Sequence, residues 1–165
     1  MLTMARTPQR VDIDNASITP RDGYLEILEK IKKEGLCPFC EENLVKYHPN
    51  PIIFKNSHWL VTNNSWPYEG SKHHFLLIAR KHIENAEKAS PDTWKDLGSA
   101  FKKLVKKYDL KGAALFMRTG DTSLTGASVQ HLHAQVLVGS TRTATSEPIL
   151  AVVGFSSKKK SPPSR

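Results

Sequence analysis

The sequence predicts one α+β domain, and three observations carry that prediction. Short apolar runs with a period of two recur along the chain, two stretches show the 3–4 spacing of amphipathic helices, and no internal repeat or second core is visible. With 165 residues, 39% of them apolar, the chain has material for one hydrophobic core and not for two.

Residues 1–19 lack periodicity, contain Pro8, Asn15 and Ser17, and are expected to form a flexible arm. Arg21 to Glu34 places Tyr24, Ile27, Leu28 and Ile31 on one helical face and stops at Gly35. Strands are expected near Ile52–Lys55, His58–Thr62 and His74–Ala79. Ser90-Pro-Asp-Thr-Trp is a helix start, with Ser90 as the N-cap and Pro91 in the first turn. That helix should run to about Tyr108, burying Trp94, Leu97, Phe101, Leu104 and Val105 and leaving Lys102, Lys103, Lys106 and Lys107 on or beside its exposed face. Ala113–Met117 and Val129–Val138 read as further strands, and Ile149–Val153 as a short last one. The domain is therefore expected over 20–155, followed by a disordered basic tail over 156–165, rich in Ser, Pro and Lys.

Within Val129–Val138, strand periodicity puts His131, His133 and Gln135 on one face and Leu132, Ala134 and Val136 on the other. Two imidazoles and a carboxamide make a poor core; they suit attack on an electrophile and the holding of oxygens around it. The loop ahead, Arg118 to Ser128, is polar and contains Gly120 and Gly126, which let backbone N–H groups approach an anion. Such a loop alone is an ordinary turn, but joined to His-x-His it points to phosphorus chemistry. The bland reading of His133 is a strand histidine satisfied by a neighbour, and of Gln135 an edge residue facing water.

Cys37 and Cys40 are the only cysteines. Their Cys-x-x-Cys spacing allows a disulfide, a redox pair, half of a zinc site, or chance. No thioredoxin-like βαβ pattern surrounds them, and zinc would need two more ligands. His48, His58, His73 and His74 compete for that role, with His48 and His58 expected at the surface.

Gly126-Ala-Ser-Val-Gln-His-Leu-His-Ala-Gln-Val136 resembles the signature of the histidine-triad (HIT) superfamily of nucleotide hydrolases and transferases. His74-Phe-Leu-Leu-Ile-Ala-Arg-Lys-His-Ile83 resembles that family's apolar strand, and Cys37-Pro-Phe-Cys40 its amino-terminal Cys-x-Phe-Cys. The three matches follow the family's order and span Leu36 to Val138, the size of one domain. At the third triad position Gln135 stands in place of histidine. His-x-His-x-Gln resembles the branch of galactose-1-phosphate uridylyltransferases and diadenosine tetraphosphate phosphorylases, whose chains are usually about twice as long. Hydrolysis and phosphorolysis both stay open.

The resemblance implies a mostly antiparallel sheet with packed helices, a homodimer, and nucleotidyl transfer from dinucleoside polyphosphates or related conjugates. His133 would form a nucleotidyl-histidine, the His131 carbonyl would hold its other ring nitrogen, and Gln135 and Ser128 would donate to phosphoryl oxygens. Gly126 and Ala127 would complete the phosphate loop, and His74 would shape it. By resemblance to the zinc-bearing branch, Cys37, Cys40, His82 and His131 would hold a structural Zn2+. Asn64 would hold the ribose hydroxyls, with Asn63 as the register alternative. Phe39, Val61 and Trp66 would flank the base, although core packing explains Phe39 and Val61 equally well.

Of the net charge of +8, Lys158, Lys159, Lys160 and Arg165 supply four in the tail. A basic surface attracts polyanionic nucleotides; nucleic-acid contact is secondary, because no nucleic-acid motif occurs and aromatics are not interleaved with the basic residues. No apolar run is long enough to span a membrane, and the first twenty residues lack a signal-peptide core, so a cytoplasmic location is expected. Two other function classes stay open: a non-catalytic nucleotide- or nucleic-acid-binding zinc protein, and a zinc hydrolase using His131 and His133 as ligands.

Overall fold

The computed structural model describes residues 10–158. Three helices come first, α1 (Ile13–Ile18), α2 (Tyr24–Glu34) and α3 (Glu41–Tyr47). Strands β1 (Ile52–Lys55), β2 (Trp59–Asn63) and β3 (His73–Ala79) follow as a meander, then α4 (Pro91–Lys107), β4 (Ala114–Arg118), the short α5 (Thr122–Thr125) and β5 (His133–Val138). Every ladder is antiparallel and the order is β1-β2-β3-β5-β4. The last strand thus inserts between β3 and β4, which gives its side chains a neighbour on each side. The architecture is the expected α+β domain built on an antiparallel sheet.

One face of the sheet presents Trp59, Val61, Phe75, Leu77, Ala134 and Val136 to α4, which answers with Leu97, Ala100 and Leu104. The Trp59 indole N–H donates to the Thr93 carbonyl at 2.7 Å, so this large core side chain hides no unpaired donor. Ser90 caps α4 by accepting from the Thr93 N–H, and Pro91 occupies the first turn. Trp94, expected in the core, is 39% exposed. The inward stripe runs Thr93, Leu97, Ala100, Leu104, one position away from the indole.

The opposite face is covered as well, by α3, with Leu44 against Leu60, Leu76 and Ile78. Burial on both faces explains why Phe75 to Ala79 is uniformly apolar, with no alternation to read.

Three expectations need correction. Residues 10–19 are not a loose arm. Val11 is buried and bridges Val129, Asp12 caps α1 by accepting from the Asn15 N–H, and the Asn15 amide donates to the Thr122 and Ala127 carbonyls. A six-residue helix is too short for a 3.6-residue period to register. Ile149–Val153 is not a strand either; its backbone joins no ladder and crosses the loop ahead of β5, where the Val152 carbonyl accepts from Arg118 Nη1 at 2.9 Å. The ladder of β5 starts only at His133, because Val129 turns to Val11 and the Leu132 N–H donates to the Ile83 carbonyl. Pro8 with the rest of 1–9, and 159–165 of the basic tail, lie outside the described residues. Among the described residues no helix is long and apolar enough to cross a membrane.

Candidate active site

Because residues 129–132 leave the ladder, His131 and His133 serve different surroundings. His133 Nδ1 lies 2.6 Å from the His131 carbonyl oxygen. A carbonyl only accepts, so Nδ1 carries the proton and Nε2 is left with a lone pair. Burial pushes the His133 ring down to about 3, against the hydrogen bond to the His131 carbonyl, and the Arg118 guanidinium pushes the same way. The ring is therefore neutral at ordinary pH. It forms part of a pocket wall, with Phe39 packed edge-on at 5.0 Å between centroids.

Gln135 stands two residues on, on the same face. Its Oε1 is 2.8 Å from His74 Nε2, and His74 Nδ1 accepts from the Tyr68 backbone N–H at 3.1 Å. The backbone donor fixes the tautomer, so His74 Nε2–H donates to Gln135 Oε1. The carboxamide is thereby oriented with its NH2 turned away from His74 and toward the pocket. Burial pushes His74 down to about 4, so the ring stays neutral in this relay.

Gly126, Ser128, Asn64, Phe39 and Trp66 all line the pocket, as expected. Gly126 adopts φ 73°, which a side chain there would strain. Asn64, unlike Asn63, lines the pocket; its Oδ1 accepts from the Trp66 N–H at 3.0 Å and its Nδ2 rests 3.2 Å from His74 Nε2. Other residues named from the sequence do not line the pocket, and His48 does. His74 stands behind Gln135 and does not reach the pocket wall. Ala127 is buried beneath the loop, its carbonyl taken by Asn15. Val61 faces α4 on the other side of the sheet. His48, expected at the surface, is buried in the pocket wall with Nε2 2.9 Å from Thr62 Oγ1, because the unforeseen α3 brings the chain back over the sheet.

The sequence reading missed two arginines. Arg118 pairs across the ladder with His133, so it shares the pocket face; its Nη1 donates to the Gly126 and Val152 carbonyls and its Nη2 to Tyr68 Oη. Arg21 lies 4.0 Å over the Tyr24 ring and donates to the Trp66 carbonyl. The position of Arg118, at the end of a strand feeding the glycine-containing loop ahead of His133, was a usable signal; that of Arg21, just ahead of a helix, was not.

The His131 ring points elsewhere. Cys37 Sγ, Cys40 Sγ, His82 Nδ1 and His131 Nδ1 form a four-donor cluster whose atoms all lie within 4.8 Å of one another. Nδ1 to Nδ1 is 3.2 Å, and the sulfur–nitrogen separations include 3.3 and 3.5 Å. Tetrahedral zinc with N and S ligands sets its donors about 3.3–3.8 Å apart, so the residues fit that ion. His131 Nε2 donates to the Ala79 carbonyl at 2.6 Å, which leaves the Nδ1 lone pair facing the cluster. Both cysteines are free thiols. Burial, reinforced by Cys37, pushes Cys40 up to about 12, so a cation is what would draw out the thiolate. His133 is not one of the four donors; its Nδ1 is claimed by the backbone and its free Nε2 faces the pocket.

A protein-family model described as HIT domain matches residues 46–142. Among solved structures, a HIT-like protein has 25% identity and a TM-score of 0.49 over 60% of this chain and 96% of that one. A hypothetical histidine triad nucleotide-binding protein from Sulfolobus tokodaii has 19% identity and a TM-score of 0.51, over 73% and 82%. A Zn-bound histidine triad family protein from Mycobacterium smegmatis has 16% identity and a TM-score of 0.48, over 65% and 79%. The family match starts at residue 46, so α1, α2 and the Cys37–Cys40 turn all precede it.

Proposed function

The chain belongs to the HIT-domain family, and on that premise we propose that it transfers nucleotidyl groups from a dinucleoside polyphosphate or related nucleotide conjugate through a covalent adduct on His133. The observation that carries this reading is the 2.6 Å hydrogen bond from His133 Nδ1 to the His131 carbonyl, which aims an unprotonated Nε2 at the pocket. Nε2 attacks the α-phosphorus, the leaving group departs, and water or phosphate then attacks the nucleotidyl-histidine. The Gln135 amide and the Ser128 hydroxyl donate to the phosphoryl oxygens as charge builds on them.

Glutamine at the third triad position favours the uridylyltransferase and diadenosine tetraphosphate phosphorylase branch. A carboxamide can donate hydrogen bonds but cannot deliver a proton to a leaving group, which suits a leaving group stable as an oxyanion.

Cys37, Cys40, His82 and His131 would hold Zn2+; four protein ligands leave no open position, so the ion would crosslink and not catalyse. Arg10 Nη1 lies 2.5 Å from His82 Nε2, and Glu84 Oε1 lies 3.0 Å from it. With Nδ1 committed to a metal, Nε2 must carry a proton, and only Glu84 can accept it. The unpaired edge of β4, with Ala114 and Leu115 exposed, supports a homodimer.

Product analysis with diadenosine tetraphosphate, with and without inorganic phosphate, tests the reading. Wild type should turn over and carry a trapped adduct on His133, and His133→Ala should lose at least about 10³-fold. A phosphate requirement would mark a phosphorylase, and indifference a hydrolase. Equal rates in the two proteins, or no turnover by wild type, would overturn the assignment.

A further inference from the structure

The pocket holds two positive charges and no negative one. Among the described residues lining it, Arg21 and Arg118 are the only ionised side chains, and neither joins an ion pair. Both are half-buried, and both reach the same ring. Arg118 Nη2 is 3.3 Å from Tyr68 Oη, and the Arg21 guanidinium carbon is 5.6 Å from the Tyr68 centroid. Tyr68 in turn packs on His74 at 4.8 Å between centroids, and His74 holds Gln135. The two guanidiniums therefore stand one residue layer beyond the group expected to hold the α-phosphoryl.

Each keeps hydrogen-bonding capacity in reserve. Arg118 spends Nη1 on two carbonyls and part of Nη2 on Tyr68, but its Nε–H is buried without any partner. Arg21 spends Nε on the Thr19 carbonyl and Nη1 on the Trp66 carbonyl, leaving Nη2 without a hydrogen bond among the described residues. Buried donors without acceptors are costly, and paired cations without a counter-ion repel each other. A multiply charged anion would relieve the repulsion and take up the unused N–H groups of Arg21 Nη2 and Arg118 Nη2, and arginine's fork suits phosphate oxygens.

We propose that Arg21 and Arg118 form a second anion subsite that holds the distal phosphates of a polyphosphate leaving group. The proposal rests on nucleotidyl transfer through His133 and names its substrate class. In the first step a bond forms between His133 Nε2 and the α-phosphorus while the bond to the bridging oxygen breaks. That oxygen keeps the electron pair and leaves as part of the polyphosphate, with one more negative charge. The arginines meet that charge directly, so no acid is needed, in keeping with a glutamine at the third triad position. Conjugates with a neutral amine as leaving group would draw nothing from the subsite.

Two measurements on the full chain decide the matter. Calorimetric titration with inorganic tripolyphosphate at fixed ionic strength should show binding to wild type that weakens at least tenfold in Arg21→Gln and recovers in part in Arg21→Lys. The ratio of kcat/KM for diadenosine tetraphosphate to that for adenosine 5′-phosphoramidate should fall at least tenfold in Arg21→Gln. Arg118→Gln should act alike, with circular dichroism to confirm its fold, since Arg118 also clamps two carbonyls. Equal losses on both substrates, or tripolyphosphate binding indifferent to Arg21, would overturn the subsite while leaving nucleotidyl transfer intact. If wild type turned over neither nucleotide, the transfer reading would fail; the titration would still uphold the subsite if Arg21 mattered and overturn it if not.

Discussion

His131 and His133 are two residues apart, both buried, and both tied to a backbone carbonyl, yet they face two different regions of the molecule. The His131 ring spends Nε2 on Ala79 and turns Nδ1 to the Cys/His cluster. The His133 ring spends Nδ1 on His131 and turns Nε2 to the pocket. Which ring nitrogen the backbone claims decides whether the imidazole faces soft donors that gather a cation or an open wall where an electrophile can sit. The two regions also share a part: the carbonyl that orients His133 belongs to the residue whose ring lies in the cluster.

That contrast can be attacked from either side. The largest effect is expected in the cluster. Cys37→Ser should abolish stoichiometric zinc measured by metal analysis and lower unfolding free energy by at least ~3 kcal/mol in denaturant titration. Retained stability with lost metal would show that the cluster does not brace the fold. In the pocket, Gln135→Ala should lower kcat by about 10²–10³-fold with little change in melting temperature, as for loss of one donor to a developing oxyanion. A change confined to KM would instead mean that Gln135 binds the ground state and the transition state alike.

The smallest effect concerns His74, which serves only by holding Gln135. The unfolded chain protonates this ring near pH 6.5, whereas burial holds the folded ring down to about 4. Between those values the unfolded state binds more protons, so stability falls as pH drops through that window and is fully present above it. His74→Phe should remove up to ~3 kcal/mol of that acid-linked loss in denaturant titrations at pH 7 and pH 4. An unchanged pH slope would assign the loss to other groups.

Much of the pocket was legible because strand periodicity is strict: from His133 onward, position alone placed Gln135 and Ala134 on opposite faces. The cluster was legible only through resemblance, since the two cysteines named two donors and four competing histidines were equally eligible from spacing. What stayed hidden has physical reasons. His74 looks like a phosphate-site residue in sequence, and only the Tyr68 N–H behind it reveals a relay. Val61 lies in a strand buried on both faces, where composition carries no sign of direction. Helices α1 and α3 are short and held by caps and distant partners, not by a periodic stripe.

The amino-terminal segment is sewn to the stretch that leads into β5. Cys37 meets His131, 94 residues on, and Asn15 meets Ala127, 112 residues on. A ribosome adding about 5–20 residues per second takes several seconds or more to cover such a separation. Throughout that interval the Cys37–Cys40 turn lacks His131, because β5 is the last of the described strands to emerge, while α2 can already settle on Val11, Ala16 and Tyr47. The Cys/His cluster is therefore completed late: its two sulfur donors are made long before the histidine that closes it, and the four can come together only once the approach to β5 has been synthesised.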